Sequence, residues 1–204
     1  RSVSRILGLT WPRLARVARA ARARQDGFQL AKLNPLRGME RTMKKGIVSL
    51  FFSLLLTLPV FAALQEGDVA PDFDLRASFA GEEFDFSLAD ARAEGPVVVY
   101  FFPSAFTRGC NIQAHEFAEN MESFQAAGAS VIGVSLDSIE RLNAFSSDPA
   151  YCAGKLPVAS DSTGEVARSF DLNVRPEREG ATDTRGEMID HGFAERVAFI
   201  VLSD

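Results

Sequence analysis

The chain of 204 residues is 47% apolar and carries 17 phenylalanines, enough to bury a sizeable core and to exclude global disorder. Its net charge of −5 conceals a split: residues 1–62 hold 12 of the 22 Lys and Arg against two acids, Asp26 and Glu40, whereas the remainder holds 10 against 25. So acidic a body repels nucleic acid and anionic lipid, and neither is expected as a partner.

Residues 1–42, opening RSVSRILGLTWPRLARVARA, are Arg-rich and acid-poor. That composition superficially fits an organellar transit peptide, but a second complete targeting pattern follows it. The segment is therefore read as upstream sequence outside the mature protein and is set aside from the fold. Residues 43–62, MKKGIVSLFFSLLLTLPVFA, place two lysines, an apolar run from Ile47 to Leu58 and the ending Val60-x-Ala62 in the order of a cleaved secretory signal. The run stops at Pro59, short of the roughly 20 residues that a span needs, so the mature form is not expected to be membrane-embedded. Export to the periplasm or an equivalent compartment is the expectation, with an organellar destination as the alternative.

Residues 63–204 read as one domain. GEEFDFSLAD alternates Phe84, Phe86 and Leu88, which predicts a strand with one buried face. GPVVVYFFP is a continuous apolar run, expected for a strand covered on both sides. NIQAHEFAENMESFQAAG places Ile112, Phe117, Met121 and Phe124 at helical intervals and stops at Gly128, a good C-terminal cap. ASVIGVSL predicts a second buried strand, SIERLNAFSSD a helix, LPVASD a short strand, GEVARSF a short helix and RVAFIVLSD a final apolar strand. Strands alternating with helices predict an α/β fold with right-handed crossovers and a mainly parallel central sheet flanked by helices.

One of the two cysteines, Cys110, falls just past the carboxyl end of the buried strand, around the first turn of the next helix. Ligands and chemistry gather at that edge of open α/β sheets. Unpaired N–H groups and the helix dipole there stabilise a thiolate. Pro103 ends the strand, and Thr107 brings a hydroxyl three residues before the sulfur.

Pro103-x-x-x-Thr107-x-x-Cys110 resembles the Pro-x-x-x-Thr-x-x-Cys signature of the peroxiredoxins, the AhpC/TSA superfamily. The resemblance extends over about residues 64–204. GDVAPDFDL is similar to the family's opening segment, VVVYFFPSAFTRGCNIQAHEF to its active-site strand, loop and helix, and LPVASDSTGEVARSF to a later strand and helix. ERVAFIV is similar to the strand that supplies the family's arginine. Gly109-Cys110-Asn111-Ile112-Gln113-Ala114 is closest to the bacterioferritin-comigratory-protein, or PrxQ-like, branch.

The resemblance implies a thioredoxin-like fold and a thiol peroxidase. Cys110 would attack the peroxide bond as thiolate and become a sulfenic acid. Thr107 would hydrogen-bond thiolate and peroxide, Pro103 would shield the sulfur, and Arg196 would place positive charge against it. Substrates would be hydrogen peroxide and organic hydroperoxides, and the reductant a thioredoxin-like or glutaredoxin-like dithiol. A monomer or weak dimer without cofactor is expected.

Two departures from the family accompany the match. His115 stands where many members of the branch carry a resolving cysteine, which makes Cys152, after SSDPAY, the candidate resolver. The alternatives are a packed, unreactive Cys152 with a one-cysteine mechanism, and a permanent disulfide. The chain also stops at VLSD, where family domains continue into a further strand and helix, and this reads as a C-terminal truncation. His115 and His191 share no helical spacing and make a poor metal site; no phosphate-binding glycine loop appears. The competing functional class is a catalytically inert thioredoxin-fold module for redox sensing or binding.

Overall fold

The computed structural model describes residues 3–6 and 64–202; the signal pattern at 43–62 lies outside the described residues. A seven-stranded sheet runs in the order β1-β9-β4-β5-β6-β2-β3. Its strands are β1 (Val3–Ile6), β2 (Asp74–Phe79), β3 (Glu82–Ser87), β4 (Val97–Phe101), β5 (Ser130–Ser135), β6 (Val158–Ser160) and β9 (Val197–Val201). A separate ribbon pairs β7 (Val174–Arg175) with β8 (Phe193–Ala194). The helices are α1 (Leu88–Glu94), α2 (Arg108–Glu119), α3 (Met121–Ala126), α4 (Ile139–Ser147) and α5 (Glu165–Ser169).

The expected central sheet with flanking helices is present, but only its middle is parallel. β4 pairs with β5 and β5 with β6 in parallel, while the β1/β9, β9/β4, β6/β2 and β2/β3 pairings are antiparallel. The mainly parallel sheet expected from alternation is thus mixed. The cause lies in the β2–β3 hairpin, whose first strand was not singled out in the sequence, and in the reversed final strand β9. Four residues of the Arg-rich N-terminal segment, Val3–Ile6, form an edge strand on β9.

β4 explains why a strand of VVVYF can be apolar throughout: all five residues are buried. Val97, Val99 and Phe101 pack on one face with Leu88, Phe170 and Phe199. Val98 and Tyr100 pack on the other with Phe117, Phe124, Phe145 and both cysteines. Tyr100 stacks on Phe117 at a centroid distance of 4.4 Å and on Phe102 at 5.4 Å, geometries that add to area burial.

The long helical segment after the cysteine loop divides at Asn120 into α2 and α3. Phe117, Met121 and Phe124 reach the core, but Ile112 is 59% exposed, because it lies off the stripe of Cys110, Ala114, Phe117 and Ala118 that α2 buries. Gly128 ends the segment with φ +71°, as a C-terminal glycine does.

Gly133 on β5 lies under the Tyr100 ring, where an added Cβ would stand 2.6 Å from Cζ and the hydroxyl oxygen. Since the ring is buried and stacks on Phe102 and Phe117, it has little room to yield. Gly133→Ala should therefore destabilise the domain by about 1–3 kcal/mol, read as a lower denaturant midpoint with an unchanged slope.

Candidate active site

Parallel pairing of β4 with β5 brings their carboxyl ends to one sheet edge. Phe102 extends the ladder by donating to the Val134 carbonyl at 3.0 Å, and the chain then turns through Pro103, Ser104, Ala105 and Phe106 into α2. Phe106 holds φ +60°, uncommon for a bulky residue, and its carbonyl accepts from both the N–H and the hydroxyl of Thr184, at 3.0 and 2.7 Å.

Thr107 is the N-cap residue of α2, but its side chain does not cap the helix. The hydroxyl donates instead to the Ser104 carbonyl at 2.9 Å, tying the loop across its base. The first-turn N–H groups of Arg108, Gly109 and Cys110 therefore keep the helix end positive. Cys110 is the third helical residue, and only 2% of it is exposed.

Arg196 reaches that sulfur through sheet topology. β9 runs antiparallel to β4 with Val197 opposite Phe101, so the residue before β9 stands beside the end of β4. Its Nη2 donates to Cys110 Sγ at 3.0 Å. Nη1 approaches the Gly109 carbonyl at 3.5 Å and donates to the Gln113 side-chain oxygen. Gly109 also gives the guanidinium room: a Cβ there would lie 3.3 Å from Nη2. Gln113 was not singled out in the sequence as a site residue, yet it orients the arginine from one helical turn beyond Cys110.

Cys152 lies in the turn after α4, and both cysteines are free thiols in the same buried cluster. The turn has no helix of its own; Ala153 and Gly154 adopt φ +52° and +65°. Burial first, and the charge of Asp148 second, push the Cys152 thiol well up, so it stays protonated while the turn is closed. In the same cluster, the Tyr100 hydroxyl is buried without a hydrogen-bond partner. Its ionisation is opposed chiefly by burial.

Five of the expected residues thus fall around one sheet edge and the cluster beneath it. Pro103 and Thr107 bracket the loop, Cys110 and Arg196 touch, and Cys152 packs in the cluster below. His115 is exposed on α2, as its place on the outer helix face implies. The sequence reading missed the polar group behind the loop: Asp137, Arg141, Asp183, Thr184, Arg185 and His191. Separated by up to 54 positions, these residues form no local motif.

Residues 67–204 match the AhpC/TSA family. The chain belongs to that family. It is 40% identical over 109 residues to peroxiredoxin Bcp of Escherichia coli, a match covering 53% of this chain and 65% of that protein, less than two thirds of its length. It is 35% identical over 119 residues to a putative peroxiredoxin of Mycobacterium tuberculosis, covering 58% of this chain and 71% of the relative. The crystal structure of peroxidoxin BcpB from Mycobacterium tuberculosis superposes with a TM-score of 0.53 at 27% identity, over 68% of this chain and 79% of the other. The domain accordingly has the thioredoxin-like fold of this family. Among the described residues, no helix is long and apolar enough to cross a membrane.

Removing the guanidinium should leave the Cys110 thiolate to the helix end alone. Because the Arg196 guanidinium donates to Cys110 Sγ, Arg196→Ala is expected to slow alkylation of Cys110 at neutral pH, measured by iodoacetamide labelling and intact mass. An unchanged rate would show that Arg196 contributes nothing to the reactivity of the sulfur.

Proposed function

We propose that the chain is a thiol peroxidase that reduces hydrogen peroxide and organic hydroperoxides. The observation that supports this most directly is the Arg196–Cys110 contact at an N-terminus that no side chain caps. The Cys110 thiolate attacks the terminal peroxide oxygen and forms an S–O bond as the O–O bond breaks. The leaving alkoxide or hydroxide takes a proton and departs as alcohol or water, and the sulfur is left as sulfenic acid. Arg196 places charge where the leaving oxygen becomes negative. The Thr107 hydroxyl spends its proton on Ser104, so its oxygen is left with lone pairs to accept from the peroxide hydroxyl.

In this reading Cys152 is the resolving cysteine. Its sulfur attacks the sulfenic sulfur, water leaves, and the resulting disulfide is reduced by a thioredoxin-like or glutaredoxin-like dithiol partner. Both thiols start buried, and a disulfide formed there would be out of reach of a dithiol partner. In this reading the first turn of α2, the Cys152 turn or both open in each cycle. The left-handed pair Ala153–Gly154 makes that turn the easier one to reshape. An inert binding module would have no use for a guanidinium aimed at a buried sulfur. Export is part of the proposal, with residues 43–62 as the cleaved signal.

Cys110→Ser should reduce peroxide consumption to background in a coupled thioredoxin assay; turnover persisting in that variant contradicts the assignment. Cys152→Ser should reduce the first equivalent of peroxide, then accumulate sulfinic acid at Cys110 and stall. Wild-type turnover with the same reductant would instead make Cys152 a bystander.

A further inference from the structure

Behind the loop that carries Pro103 and Thr107 lies a buried carboxylate that the proposed chemistry does not use. Asp137, two residues past the end of β5, has no exposed side-chain surface. Its oxygens accept from the Ser104 hydroxyl at 2.9 Å, the Ala105 N–H at 2.8 Å and the Ser135 hydroxyl at 2.7 Å. Ser104 and Ala105 are the residues between Pro103 and Phe106, so Asp137 fastens the floor of the loop to the end of β5. Two cations stand against it. Arg141 Nε lies 2.9 Å from Oδ1 as an ion pair, and its Nη2 is shared with the buried Asp183 at 2.7 Å. Asp183 also holds Arg185, whose guanidinium covers the Phe106 ring at 3.3 Å. The second cation is His191.

His191 Nε2 lies 2.9 Å from Asp137 Oδ1, and Nδ1 lies 2.6 Å from the Gly192 carbonyl. Both ring nitrogens therefore face acceptors. A neutral imidazole carries one N–H, so either tautomer would press a lone pair against the carboxylate or against the carbonyl. Only the imidazolium satisfies both contacts. We propose that His191 is a positioning residue for the Pro103–Thr107 loop: as an imidazolium it completes the shell of Asp137, the carboxylate that fixes Ser104 and Ala105 and, through Thr107, the first turn bearing Cys110.

The electrostatics agree with this geometry. For Asp137, burial acts to raise the carboxyl, but the hydrogen bond and charge of His191, with donors from Ala105 and Ser135, outweigh it and hold it below the ordinary range. For His191, burial and the charge of Arg141 act to lower the imidazole, whereas Asp137 and the Gly192 carbonyl raise it on balance. A raised histidine contributes its contact fully below its unfolded titration point and loses it as pH climbs through the folded one. The clamp accordingly holds at neutral and weakly acidic pH and loosens on the alkaline side. Asp137, Arg141, Asp183 and Arg185 are the other charged groups of the cluster. Since carboxylates titrate far below and guanidinium far above this range, His191 is the group that switches.

Two measurements on the full chain test the proposal in wild type, His191→Gln and His191→Ala. The first is the amide-exchange protection of residues 104–107 from about pH 6 to about pH 9, around the window in which histidine titrates. The second is the rate of Cys110 oxidation by hydrogen peroxide, which rests on the peroxidase reading; the exchange measurement does not. In wild type, protection of the loop should fall on the alkaline side together with the NMR titration of His191. His191→Gln retains one donor without a titration, so the alkaline loss should vanish. His191→Ala should leave the loop unprotected at every pH and slow Cys110 oxidation about ten-fold, as misplacement of reacting groups does. An alkaline loss that persists in His191→Gln overturns the proposal. So does full protection with a wild-type oxidation rate in His191→Ala. Should the alanine variant fail to fold, the glutamine comparison still decides. A wild-type chain inert toward peroxide would sink the peroxidase reading, while the exchange data would continue to judge the clamp.

Discussion

A sulfur proposed to carry negative charge inside an apolar cluster needs opposing charge delivered by rigid structure. Cys110 sits among Tyr100, Phe102 and Phe106, surroundings that by themselves oppose ionisation. The 3.0 Å contact from Arg196 and the uncapped start of α2 supply what the cluster lacks. Most of the architecture serves that meeting. β4 is buried on both faces so that its end is immobile, β9 reverses so that its first residues stand beside that end, and Gly109 keeps the helix thin where the guanidinium passes.

The loop between β4 and α2 is held by polar groups that come from elsewhere in the chain. Asp137 fixes Ser104 and Ala105, Thr184 fixes the Phe106 carbonyl, and Arg185 covers the Phe106 ring. An unusual backbone conformation at Phe106 persists only when its surroundings over-determine it, and here they do. The cluster is charged and buried, so removing one partner would cost more than the pair itself contributes. The Cys152 turn is the contrast. Its shape depends on two left-handed residues, which suits a segment proposed to open while the Cys110 loop stays.

Much of this was legible in the residues. The unbroken apolar run of β4, the proline at its end and a cysteine a helical turn beyond Thr107 place the site at the carboxyl edge of a sheet without any coordinates. The buried strand β5, the helices α4 and α5, and β9 also follow from local pattern. Three features were not legible. The break at Asn120 carries no glycine or proline, and tertiary packing of Phe117 and Phe124 outweighs the continuous helical spacing. Strand direction is a property of pairing, so alternation along the chain could not reveal that β2 and β9 run against their neighbours. The Asp137–His191 pair joins residues 54 positions apart, and neither sits in a motif; a lone histidine on an irregular stretch reads as surface until the fold closes around it.

The central claim is that Cys110 is the thiol that meets peroxide, and rapid trapping tests it most directly. The full chain, treated with one equivalent of hydrogen peroxide, is quenched with dimedone at successive times and mapped by peptide mass. The account predicts a dimedone adduct on Cys110 at the earliest times, giving way to a peptide pair joined by a Cys110–Cys152 disulfide. Peroxide left unconsumed, with Cys110 recovered unmodified at every time, would contradict it.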